Sequence, residues 1–218
     1  LLDPDAKEAK YVNTSETPVY IKGNTLYGLN VTRDEIRKAG SAIVTEGEID
    51  MIQAYQAGTK NVVAIKGSAF TEAQVNLLKR YTENVLLALD ADMAGDAASH
   101  RGIQSADAAG LNIKVVEIPD GKDPDDCIKK DPEVWKKAVA DAVPFYDYII
   151  DSAVKKYDSK SAEGKKKIIS ETAKFLQPIG NAVVKAHYLQ KLSGLLSVSE
   201  EIIETQKQRE SKQESRIQ

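Results

Sequence analysis

Between Ala42 and Ile118 the sequence switches period in a regular way, and nothing else in it constrains the fold as strongly. Ala42-Ile43-Val44-Thr45, Asn61-Val62-Val63-Ala64-Ile65, Val85 to Leu89 and Ile113 to Ile118 are short runs rich in β-branched and aliphatic residues. Between them, Asp50 to Ala57, Thr71 to Tyr81 and Ala94 to Ala109 carry helical spacing; Thr71 suits an N-cap, and Gly58 and Gly110 stand where helix stops belong. Short strands alternating with helices of about ten residues imply βαβ crossovers and a buried parallel sheet with helices on its faces. Ligands of such sheets gather at the carboxyl ends of the strands, so polar residues that follow each strand converge in space.

The flanking regions read differently. Residues 10–18 are rich in turn formers, and Leu29 to Lys38 has helical spacing with Gly40 as its stop. From Asp131 onward no strand pattern stands out. Trp135 to Asp141, Phe145 to Tyr157, Lys165 to Leu176 and Val183 to Leu196 are amphipathic, broken at Pro144, Gly164 and Pro178-Ile179-Gly180. A small helical bundle follows. Lys207 to Gln218 is polar apart from Ile217 and reads as a fraying tail or linker. The fold class is therefore α/β, a parallel sheet flanked by helices and followed by a small α-helical bundle.

Composition narrows the chemistry. The 218 residues are 42% hydrophobic and 29% charged with both signs interspersed, which argues against wholesale disorder. No apolar run approaches the roughly 20 residues of a bilayer span, and no charged-then-apolar leader opens the chain. A membrane role is not expected. Cys127, His100 and His187 are the only cysteine and histidines; they cannot build a four-ligand zinc site or an internal disulfide, which suits a reduced, cytoplasmic setting. Residues 1–130 carry 15 Lys+Arg and 20 Asp+Glu, a net −5, while the rest carry +2 of the total −3. An anionic partner therefore needs some attraction other than net charge.

The strand ends supply one. Glu46-Gly47-Glu48-Ile49-Asp50 follows the first strand, Asp90-Ala91-Asp92 the third, and Asp123-Pro124-Asp125-Asp126 comes shortly after the fourth. At period two, Asp90 and Asp92 point to the same side if the strand reaches them. Pro124 favours an extended backbone at Asp123. Any single carboxylate after a strand is most often a helix cap; the joint pattern carries the reading. Carboxylates crowded at one rim repel one another unless a cation sits among them. Oxygen-only donors suit Mg²⁺ or Mn²⁺, ions that hold phosphate oxygens during phosphoryl transfer.

This constellation resembles the TOPRIM domain of bacterial primases, type IA and type II topoisomerases and some nucleases. Glu46, Gly47 and Asp50 match its Glu-Gly-x-x-Asp, and Asp90 and Asp92 its Asp-x-Asp. Within that superfamily the chain looks most like a bacterial DnaG-type primase. Lys10-Tyr11-Val12-Asn13-Thr14-Ser15-Glu16-Thr17 is similar to a primase signature, as are Lys22-Gly23, Leu26-Tyr27-Gly28-Leu29 and Pro119-Asp120-Gly121-Lys122-Asp123-Pro124-Asp125. Departures occur: Glu48 and Ile49 replace an aromatic and a methionine, Met93 replaces an arginine after the Asp-x-Asp, and Lys66 to Thr71 differ from the usual Gly-Thr-Ala-Leu-Thr.

The resemblance implies that Glu46, Asp50, Asp90, Asp92, Asp123 and Asp125 hold Mg²⁺ or Mn²⁺. Glu46, Asp90 and Asp92 would be catalytic, with Glu46 orienting or deprotonating a 3′-hydroxyl. Lys10, Lys22 and Arg101 would contact nucleic acid or nucleotide. The implied activity is primer synthesis during replication: ribonucleoside triphosphates joined on a single-stranded DNA template into a short RNA primer, by a bacterial, nucleoid-associated enzyme. The implied units are the end of a preceding subdomain (1–40), the TOPRIM domain (41–130), a helical subdomain (131–206) and a tail (207–218). The chain opens at Leu1-Leu2 and lacks a zinc ribbon and most of a basic N-terminal subdomain, so a fragment is expected. Contact with the replicative helicase is expected through a C-terminal domain absent from this chain, residues 199–218 leading toward it.

Alternatives are a TOPRIM nuclease or topoisomerase that cleaves phosphodiesters with the same carboxylates, and a non-enzymatic module with a decayed metal site. Intact carboxylates at three strand ends oppose decay. No G-x-x-x-x-G-K-[ST] occurs, which disfavours a P-loop NTPase. Cys127 reads as a packed small residue, Phe145, Tyr146, Tyr148 and Ile149 as bundle core, and Lys165-Lys166-Lys167 as a solvated helix face.

Overall fold

The computed structural model describes residues 15–65, 70–89, 97–119 and 123–205, with 97–101 described by backbone alone. Five strands form one sheet in the order β2-β1-β3-β4-β5: β1 (Ala42–Thr45), β2 (Val62–Ala64), β3 (Asn84–Ala88), β4 (Asn112–Val115) and β5 (Val143–Pro144). The first four are parallel, as the alternating periods predict. The two residues of β5 pair antiparallel with Lys114 and Val115 and make the sheet mixed. So short a strand, ending in proline at the sheet edge, leaves no periodic signal.

Strand burial explains the apolar runs. Every residue of β1 and β2 is buried, because both faces are covered. Ala42, Val44, Val63, Val85 and Leu87 face a core shared with α1 (Leu29–Ala39), α3 (Glu72–Lys79) and α4 (Ala97–Ala108), through Ile36, Val75, Leu78, Ile103 and Ala106. Ile43, Val62, Ala64 and Ala88 face the other way, onto α2 (Glu48–Gln56), α5 (Pro124–Lys130) and α6 (Pro132–Ala140), through Met51, Ala54, Cys127, Ile128 and Trp135. Trp135 is fully buried, and its indole N–H donates to Thr59 Oγ1 at 2.9 Å. Packing therefore runs across the expected boundary at residue 130: α6 and β5 build onto the sheet, and the third core begins within α7.

That core joins α7 (Phe145–Lys156), α8 (Ala162–Leu176) and α9 (Ala182–Leu196) through Ile150, Ile168, Leu176, Leu189 and Leu192. Phe145, Ile149 and Phe175 pack back into the sheet core, which ties the bundle to the α/β layer. Gly164, expected to break the helical pattern, instead lies in the first turn of α8. Its hydrogen permits that turn to sit on the Asp158 carbonyl: a Cβ there would approach the oxygen to 1.9 Å.

The two rims of the sheet differ in chemistry. At the amino-terminal rim, asparagine amides knit neighbouring strands together. Asn61 donates to the Ser41 carbonyl, Asn84 to the Gly40 carbonyl and Asn112 to Asn84 Oδ1, at 3.0, 2.9 and 3.1 Å. At the outer edge of β2, Tyr27 and Ala64 exchange backbone hydrogen bonds of 2.8 and 3.1 Å, which anchors residues 15–28 to the sheet.

Candidate metal centre

The strand order sets where a ligand belongs. From β1 the chain crosses to β2 on one side and then to β3 on the other, so the helices diverge outside the carboxyl ends of β1 and β3. Such a switch point leaves a crevice. Glu46 is the first residue after β1. Thr45 pairs with Ala88, which sets Leu89 level with Glu46, and Asp90 comes next in the chain. Asp90 and Asp92 themselves lie outside the described residues, as does Lys10.

Local hydrogen bonds fix the turn that carries Glu46. The Thr45 hydroxyl, fully buried, donates to the carbonyls of Gly47 and Val63 at 3.2 and 3.3 Å. Gly47 caps α2, and its N–H donates to Asp50 Oδ2 at 3.2 Å. The other oxygen, Asp50 Oδ1, accepts from the backbone N–H of Asp125 at 3.1 Å, across 75 positions of sequence. The backbone of Gly47, next to Glu46, and the backbone of Asp125 are therefore held by one carboxylate lying between them.

The third acidic stretch is itself helical. Asp123 is extended (φ −146°, ψ 169°) and caps α5, accepting from Asp126 N at 2.7 Å, with Pro124 in the first turn. An extended Asp123 before Pro124 matches the sequence reading; the helix that follows does not appear in it, although Asp-Pro is an N-cap and N1 signature. Helical spacing then gathers the side chains: one carboxylate oxygen from each of Asp123, Asp125 and Asp126 lies within 4.8 Å of the others. Asp126, which matches no position of the family motif, joins the cluster through helical spacing alone.

Charge in this cluster is unbalanced. Lys129, one turn along α5, contacts Asp125 Oδ2 at 2.5 Å. That hydrogen bond, with the charges of Asp125, Asp126 and Asp123, raises the Lys129 ammonium above its ordinary value. Among the described residues, three carboxylates gather here, and Lys129 pairs with Asp125. Asp125 Oδ1 is buried and, among the described residues, lacks a hydrogen-bond partner. A buried carboxylate oxygen left unmatched is costly, and a cation would satisfy it.

Two further candidate residues, Lys22 and Arg101, lie outside the acidic cluster. Lys22 sits on a short 3-10 turn (Lys22–Asn24) held at the start of α3, where Thr71 and Gln74 bond the carbonyls of Gly23 and Lys22. This puts Lys22 at the β2 end of the same rim. Arg101 falls early in α4, and its side chain lies outside the described residues. Cys127 is buried in the sheet core, as a packed small residue should be.

Comparison with known proteins follows the same division of the chain. The family described as Toprim-like matches residues 43–128, and the DnaB-helicase binding domain of primase matches 146–201. The DNA primase of Clostridium acetobutylicum is 37% identical over 201 residues, covering 91% of this chain and 33% of that protein. The DNA primase of Aquifex aeolicus is 33% identical over 158 residues, covering 72% of this chain and 32% of its own length. Among solved structures, a DNA primase domain from Pseudomonas aeruginosa superposes with a TM-score of 0.73 at 28% identity, over 95% of this chain and 66% of that one. A DnaG primase catalytic domain bound to ssDNA gives 0.73 at 26% identity, over 90% and 64%. The chain thus spans about a third of the length of the curated relatives it matches. One expectation changes: the helicase-binding match falls on α7 to α9 of this chain, whereas a domain outside it was expected. The helices here carry ordinary amphipathic spacing, and no single residue pattern announces the match.

Proposed function

This chain belongs to the bacterial DnaG-type DNA primases, and from that premise we propose that it forms the metal-binding part of the core that joins ribonucleoside triphosphates on single-stranded DNA into RNA primers. The observation that carries this reading is the buried Asp125 Oδ1, unmatched among the described residues and set among three converging carboxylates, tied through Asp50 to the turn bearing Glu46.

The residues present fit a hard divalent ion, Mg²⁺ or Mn²⁺, because every donor of the cluster is a carboxylate oxygen and one of them lacks a partner among the described residues. Asp123, Asp125 and Asp126 would hold it, with Glu46 and, by the resemblance, Asp90 and Asp92. When bound, such an ion draws phosphate oxygens to the rim and offsets the charge that develops during phosphoryl transfer. The chain's own groups do the rest. Glu46 orients the 3′-hydroxyl of the growing primer and accepts its proton. Lys22, with Lys10 and Arg101 by the resemblance, binds phosphate or template. The ammonium of Lys129 holds Asp125 by its Oδ2 oxygen, which leaves Oδ1 to face a cation. The helices α7 to α9 would meet the replicative helicase, and the setting is the bacterial cytoplasm.

The test is Asp125→Asn in the full-length protein. Primer synthesis should fall about a hundredfold or more, the scale of losing a group that stabilises transition-state charge, with the thermal midpoint nearly unchanged. Activity within a few-fold of the parent would remove Asp125, and with it the metal-centre reading.

A further inference from the structure

The resemblance implies a metal-ligand role for Asp50, but its geometry points to another. Asp50 is 8% exposed, and each of its oxygens accepts a backbone N–H: Oδ2 from Gly47 at 3.2 Å and Oδ1 from Asp125 at 3.1 Å. Gly47 adjoins Glu46, and Asp125 carries the carboxylate oxygen that is unmatched among the described residues. One side chain therefore sets the distance between two acidic segments that are far apart in sequence. We propose that Asp50 is a positioning residue, a strut between the β1–α2 turn and the start of α5, and that Gly47 exists to admit it.

The glycine follows from the same contact. Gly47 has an ordinary φ of −92°, so its backbone does not call for glycine. A Cβ at that position would stand 2.7 Å from Asp50 Oδ2, nearer than such atoms approach. Any side chain at residue 47 pushes the carboxylate off the Gly47 amide and, because the carboxylate is rigid, shifts its hold on Asp125. In the Glu46-Gly47-x-x-Asp50 motif, the glutamate then serves chemistry while the glycine and aspartate serve geometry. Asp50→Asn keeps the shape but turns one acceptor into a donor, which must face either the Gly47 or the Asp125 N–H.

This inference rests on the metal-centre reading and is tested in the full-length protein by Mn²⁺ titration, with Asp125→Asn as the control for that reading. Asp50→Asn should bind the same number of Mn²⁺ ions as the parent, with affinity reduced about 10–100-fold, as for groups that orient ligands. Gly47→Ala, with every carboxylate intact, should reproduce the loss. The double variant should be no worse than the weaker single, because both break one strut. Loss of one Mn²⁺ equivalent in Asp50→Asn would make Asp50 a ligand and overturn the proposal. So would parental affinity in Gly47→Ala, the deciding variant if Asp50→Asn fails to fold. Undiminished Mn²⁺ binding by Asp125→Asn would instead strike the metal-centre reading.

Discussion

Gln74 offers the clearest test of how residues 15–28, with Lys22, are fastened to the sheet. Its side chain is fully buried. Nε2 donates to the carbonyls of Thr25 at 2.8 Å and Ile65 at 3.0 Å, with a longer contact to Lys22 O at 3.4 Å. Oε1 accepts from Thr71 N at 3.0 Å, closing a capping box with Thr71. Gln74→Met preserves length but leaves two carbonyls and one N–H unmatched, each costing about 1–3 kcal/mol when buried. Allowing for relaxation, we expect a loss of about 3–5 kcal/mol, a large part of a typical domain's stability. Urea denaturation followed by circular dichroism measures it. Gln74→Glu should be worse at neutral pH, because a carboxylate oxygen would replace Nε2 against those carbonyls. Burial among acceptors raises that carboxyl's folded pKa, so its stability should recover as pH falls and the group protonates. A Gln74→Met protein within about 1 kcal/mol of the parent, well under the cost of even two orphaned carbonyls, would refute this reasoning.

Other expectations follow from single contacts. Asp123→Ala removes the α5 cap on Asp126 N and should cost about 0.5–2 kcal/mol in a thermal melt, while primer synthesis falls much further. Trp135→Ala should cost about 3–5 kcal/mol, and Trp135→Phe, which loses the bond to Thr59, about 1 kcal/mol. Burial and the neighbouring Asp147 raise the Tyr188 hydroxyl to about 12. Burial and then Asp107 raise Tyr146 as well. Because both folded values lie above the unfolded one, their contribution is intact below about pH 10 and fades as pH climbs through the folded values. Tyrosinate absorbance should therefore show these two ionising late, together with loosening of α7 and α9.

The alternation of strand and helix was legible because buried parallel strands need continuous apolar runs, and Val62-Val63-Ala64 and Ala42-Ile43-Val44 have them. Helix ends were legible where a specific side chain or backbone conformation makes them, as at Thr71 and Gly40. Short elements were not. The seven-residue α5 begins in a cluster of aspartates and is too short to carry an apolar period of its own, with only the Asp-Pro cap to mark it. Gly164 resembles a helix breaker until Asp158 is seen against it. At the site, the residue types were readable, and so was the rim they follow, since strand ends of a parallel sheet meet at one rim. The division of labour was not: no spacing rule reveals that Asp50 holds two backbone amides, or that Asp126 and Lys129 complete the cluster by helical neighbourhood.

The most direct measurement is anomalous diffraction from crystals of the full-length protein soaked in Mn²⁺ with nucleotide. A manganese peak coordinated by Asp125 Oδ1, with Glu46 facing the bound phosphates, is the predicted result. Manganese bound elsewhere while Asp125 Oδ1 stays unligated, with primer synthesis intact, would contradict the account.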